Sequence, residues 1–140
     1  MSSRTTTPAR ADQATVSTPL RALRYLALLS TLNLICQGIS AGELLMESHT
    51  FREVHEVGAI VLHVLCGLTA LAAIWYWRTS KAGVSIAVLS ALVFIATFVQ
   101  AWYGHGRTLY IHVPLAMLLM IGAGWVLAWS WLMPARRSAQ

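Results

Sequence analysis

Apolar residues run through this chain in four long stretches, residues 25–45, 57–77, 84–103 and 109–132, with short polar connections between them. An α-helix needs about 20 predominantly apolar residues to cross the hydrocarbon core of a bilayer, and each stretch reaches that length. Four membrane-spanning helices are therefore predicted. Short connections make consecutive helices antiparallel, so the expected fold is all-α, an integral membrane four-helix up-down bundle. Within the first stretch Ser30, Asn33, Gln37 and Ser40 follow one another at intervals of three, four and three. Ser90, Thr97 and Gln100 do the same in the third at intervals of seven and three. Each set falls on one helical stripe. A polar stripe on a membrane helix faces protein rather than lipid, either to hydrogen-bond its neighbours or to line a cofactor cavity. Gly38 and Gly42 form a G-x-x-x-G pair beside the first stripe, a pattern that lets helices approach closely.

Charge completes the topology. Arg4, Arg10, Arg21 and Arg24 precede the first stretch, Arg78 and Lys81 lie between the second and third, and Arg136 and Arg137 follow the fourth. Only Arg52 and Arg107 fall on the opposite side, together with Glu43, Glu47, Glu53 and Glu56. The positive-inside rule then puts both termini in the cytoplasm of a plasma-membrane protein, bacterial in character. Trp75, Tyr76, Trp77, Trp102, Tyr103, Trp129 and Trp131 sit at the expected interfaces, where amphipathic rings concentrate. The domain plan is a disordered cytoplasmic tail over 1–20, one transmembrane domain over 21–134 and a short cytoplasmic tail over 135–140. The first apolar stretch is full length and has its own polar far end, so it is expected to be a span rather than a cleaved signal.

With 57% hydrophobic and 11% charged residues and a mean hydropathy of +0.63, the chain is too apolar for a soluble domain of 140 residues. The net charge of +5 would suit a nucleic-acid partner, but its positions follow the topology and no groove-reading motif accompanies them, so no nucleic acid is expected. The two cysteines, Cys36 and Cys66, lie within spans with no C-x-x-C spacing, which reads as packing. Hydrolytic chemistry has no support: no serine stands in a G-x-S-x-G context, and the single aspartate, Asp12, lies far from every histidine.

The five histidines carry the candidate chemistry, because all of them fall in the outer half. Imidazoles in or beside membrane helices are costly unless they ligate, relay protons or pair. A weak internal repeat relates the two helix pairs. Gln37 ends the first span and Gln100 the third, and each is followed by a short loop and then a histidine, His55 or His112, that opens the next span. Both of those histidines begin helices that descend from the same face, so they are expected at similar depth. That arrangement suits bis-histidine ligation of a b-type haem, with His55 and His112 as axial ligands to the metal. Gly58, Gly104 and Gly106 would leave room for the ring. His105 and His49 would reach propionates or carry protons, and Arg107 or Arg52 would pair with propionates. Gln37 and Gln100 would converge on the same cavity. His63 lies roughly 12 Å deeper than His55 at 1.5 Å per residue. It is the alternative partner of His112, or a hydrogen-bonding neighbour of Gln37, Asn33 or Gln100; a deeper His63/Met120 pair is a further arrangement.

Two other functions fit the same residues. One is a cofactor-free accessory or assembly subunit whose polar and small-residue stripes bind a partner's helices. The other is divalent-metal binding at the outer face by Met46, Glu47, His49, Glu53, His55 and Glu56, with His105 as a further candidate ligand, although no H-E-x-x-H spacing is present. Expected partners are the lipid bilayer and either a membrane redox protein or a second copy.

The arrangement resembles one four-helix half of the haem A synthase family, in which histidines at the outer part of the second and fourth helices can hold a b-type haem. His55-Glu56-Val57-Gly58 is similar to that family's H-R-x-x-G, Glu53 to the acidic residue before its histidine, and His112 to the histidine of the fourth helix. The likeness covers residues 25–132. Glu56 stands where the family has arginine, Glu53 is two rather than three residues before the histidine, and one half is present. The resemblance therefore implies a haem pocket, not a haem-modifying oxygenase. His112-Val113-Pro114-Leu115 is also similar to a segment of small actinobacterial four-helix membrane proteins.

Overall fold

The computed structural model describes residues 16–46, 49–104 and 108–133. Four helices account for nearly all of them: α1 (Thr18–Leu45), α2 (His49–Ser80), α3 (Val84–Trp102) and α4 (Leu109–Leu132), with no strand among the described residues. All four are long and apolar enough to cross a membrane. Large apolar side chains such as Leu29, Val61, Leu71, Leu92, Leu118 and Ile121 point outward around the bundle, as a lipid environment requires. α1 packs on α2 and α4, and α3 packs on the same two, which leaves α1 and α3 on one diagonal and α2 and α4 on the other.

α1 starts earlier than the hydrophobic run suggests, so positions 18–20 belong to the bundle and not to a tail. Pro19 stands in its first turn, where a missing N–H breaks no helical bond. Leu20, Leu23 and Ala27 then recur at helical spacing and are buried. The charge that immediately precedes the run, Arg24, is built into the fold. Its guanidinium donates to the carbonyls of Ser130 and Met133, each at 2.9 Å, satisfying acceptors that the end of α4 leaves open. Its Cζ also lies 5.2 Å from the centre of the Trp131 ring. α2 likewise begins upstream of its apolar run, carrying Arg52, Glu53, His55 and Glu56 on its first two turns.

The core has two parts. Leu23, Ala27, Ala72, Ala73, Ile86, Ala87 and Val126 form one cluster, in which four alanines allow close helix contact. Leu34, Leu62, Cys66, Val93, Leu119 and Ala123 form the other, towards the end where α2 and α4 begin. Gly67 packs under Phe94 and Gly122 under Val93. Gly83 has φ +79° in the α2–α3 turn, a left-handed conformation that glycine adopts without penalty. The G-x-x-x-G pair behaves differently from expectation. A Cβ built on Gly38 or Gly42 would meet nothing within 4 Å, because both residues turn away from α2 and α4.

Candidate functional site: a histidine pair at one end of the bundle

α2 and α4 begin at the same end of the bundle, where α1 and α3 finish. His55 lies in the second turn of α2 and His112 in the first turn of α4, and the diagonal arrangement turns these two starts towards each other. Their ring centroids are 6.5 Å apart with the planes inclined at 53°.

Each ring is held through Nδ1. His112 Nδ1 lies 3.0 Å from the backbone carbonyl of Gln100, and a carbonyl can only accept, so this nitrogen carries the proton. His55 Nδ1 lies 2.9 Å from the hydroxyl of Ser40, a residue that is 1% exposed. The Ser40 hydroxyl has one proton and donates it to the carbonyl of Gln37 at 3.0 Å. The His55 Nδ1–H then donates to Ser40 Oγ. Both imidazoles are thereby set in the tautomer whose Nε2 carries a lone pair. Orientation of a ligating histidine through its other nitrogen is a recurrent feature of metal sites.

Metal–imidazole bonds of about 2 Å on each side, plus about 1 Å from each nitrogen to its ring centre, give a centroid separation of roughly 6 Å. No group of three or more His, Cys, Asp or Glu side chains suited to a metal ion occurs among the described residues. Two imidazoles suit an ion that arrives with its other ligands, as an iron porphyrin does.

The remaining candidates spread out. His63 does not approach His112. Its Nδ1 bonds to the Ala59 carbonyl of its own helix, and its ring packs edge-on against Phe98 of α3 at 4.4 Å. Met120 packs against the second core cluster as an ordinary core side chain. Gln100 contributes its carbonyl to His112, while its side-chain Oε1 is buried without a partner. The Gln37 side chain crowds Gly58: a Cβ on that glycine would collide with Gln37 Nε2, so the space beside Gly58 is taken by an amide. Gln37 also lines a cleft of about 470 Å³ with Asn33, Cys36, Glu53, Val54, Val57 and Gly58. Gln100 is not among the residues that line this cleft. Gly104 does lie by the site, its Cβ position 3.6 Å from His112 Cε1. His105, Arg107, Gly106 and Glu47 fall outside the described residues, as does the side chain of His49.

Two contacts of the site, those of Ser40 with His55 and of the Gln100 carbonyl with His112, were not read from the sequence. Ser40 was visible as part of the polar stripe, but nothing along the chain paired it with His55. The carbonyl of Gln100 has no sequence signal at all. No family model, curated protein or solved structure matches this chain.

Proposed function

We propose that this protein is an integral membrane b-type haem-binding protein, with His55 and His112 as the axial ligands. The single observation that carries the reading is the 6.5 Å centroid separation of two imidazoles that are both anchored through Nδ1. A haem held in this way supplies one-electron transfer, and burial in an apolar bundle tunes its potential. The chain's part is to orient both rings through Ser40 and Gln100 and to surround the pair with the membrane-embedded helices. Charge asymmetry supports the finer topology, with the histidine end on the outer face of the plasma membrane and both termini in the cytoplasm.

Protein purified from a haem-replete host should show a Soret band that shifts on dithionite reduction. A colourless preparation that gains no band on adding haem overturns the reading. A reporter fused to either terminus should be active only in the cytoplasm; a periplasmic signal reverses the topology.

A second reading, a cofactor-free accessory subunit, draws on the uncovered Gly38 and Gly42 and on the placement of Gln37 in an open cleft. It is favoured if the pigment is missing and the protein is stable only alongside another membrane protein.

A further inference from the structure

Between α1 and α2, in the half of the bundle that holds the histidine pair, a cleft of about 470 Å³ opens on the surface, with Asn33 and Gln37 on one wall and Glu53, Val54, Val57 and Gly58 on the other. Small-molecule sites span about 300–1,000 Å³ and combine apolar walls with a few polar groups, as this cleft does. Val54 and Val57 are exposed within a membrane-spanning helix, so the opening meets lipid.

The polar groups of the cleft lack partners. Asn33 leaves its Oδ1 buried without a hydrogen bond, and neither the Gln37 amide nor the Glu53 carboxylate bonds or pairs with another described residue. Such groups are costly inside a bilayer, because lipid tails offer nothing in place of water. The Gln37 amide reaches across to the α2 wall, where it rests against Gly58.

A ligand that completes this set must present an acceptor to the amide N–H groups and a hydroxyl to the free oxygens. Charge narrows its class: the Glu53 carboxylate repels the phosphate of an anionic lipid, and no Lys or Arg is among the described residues that line the cleft to offset it. A neutral head on an apolar tail fits. We propose that the cleft binds the headgroup of a membrane-dissolved quinone, in its quinone or quinol form. The Asn33 and Gln37 amides donate to a ring oxygen, the exposed Glu53 accepts from a quinol hydroxyl, and the tail leaves past Val54 and Val57 into lipid. The choice of a redox-active head rests on the haem reading, because the Gln37 carbonyl accepts the hydroxyl of Ser40 that holds His55, so a cleft residue and an axial histidine share one hydroxyl.

Photolabelling of the purified protein in lipid nanodiscs, with an azido-substituted short-tailed quinone, tests the site. Label should saturate, fall on peptides that contain residues 33–37 and 53–58, and be displaced by unlabelled quinone but not by excess phosphatidylglycerol. Val57→Trp fills the cleft from a lipid-facing position and should weaken the apparent affinity by at least roughly tenfold. Label that is scattered, does not saturate or yields to phospholipid overturns the proposal, as does unchanged affinity in Val57→Trp; if that variant does not fold, labelling of the unmodified protein decides. Running the experiment with and without added haem separates the two readings. A colourless protein that binds quinone in the cleft loses only the haem assignment, and a haem-bearing protein with an unlabelled cleft loses only this one.

Discussion

His55 and His112 meet as rings 6.5 Å apart although their helices, α2 and α4, lie on the bundle's diagonal and make no backbone contact. The gap is spanned by side chains that project from the second turn of α2 and the first turn of α4. Substituting either histidine by alanine should abolish the reduced-minus-oxidised haem spectrum of the purified protein. His63→Ala should retain the spectrum, because its ring is spent on Ala59 and Phe98. Loss of the spectrum in His63→Ala, with retention in His55→Ala, would reassign the ligand.

Ser40 holds His55 by its Nδ1, so Ser40→Ala frees the ring to rotate without removing the ligand. The expected result is a 10- to 100-fold weaker haem affinity with the two-histidine spectrum retained at saturation, the usual cost of losing a second-layer hydrogen bond. Titration of haem into the apoprotein measures it. An unchanged affinity would mean that packing alone orients the ring.

Arg24 closes the other end of the bundle. Arg24→Ala leaves the Ser130 and Met133 carbonyls without their donor and removes the contact with Trp131. A hydrogen bond to a charged group contributes about 1.5–3 kcal/mol, so destabilisation of about 2–4 kcal/mol is expected in a denaturant titration in detergent. Arg24→Lys should recover only part of this, since a single ammonium does not reproduce the fork that reaches both carbonyls.

The glycines fall into two groups that substitution separates. A Cβ at Gly122 would lie 2.8 Å from Val93 Cγ2, so Gly122→Ala should overpack α3 against α4 and cost about 1–3 kcal/mol. Gly38→Ala meets open space and should be neutral or stabilising by up to about 1 kcal/mol through helix propensity. Thermal midpoints of the two variants compare them directly. A destabilised Gly38→Ala would show that something covers that face of α1 in the intact protein.

The all-α fold and its four helices were legible in the order of residues, because a bilayer demands long apolar runs and leaves the backbone few other ways to satisfy its hydrogen bonds. The polar stripes were legible for the same reason, and Ser30, Ser40, Ser90 and Thr97 are buried in the bundle. Helix ends were less so: Arg24 and the first turns of α2 are polar in composition but helical because of contacts made elsewhere in the chain. Which stripe residue meets which neighbour was decided only by the tertiary structure. The rotation of α1 puts Ser40 on His55 and turns Gly38 and Gly42 outward, and the rotation of α2 sends His63 to Phe98 rather than to His112. Helical periodicity places residues on a common face but does not say which helix that face will meet. That choice is made by packing four helices together at once.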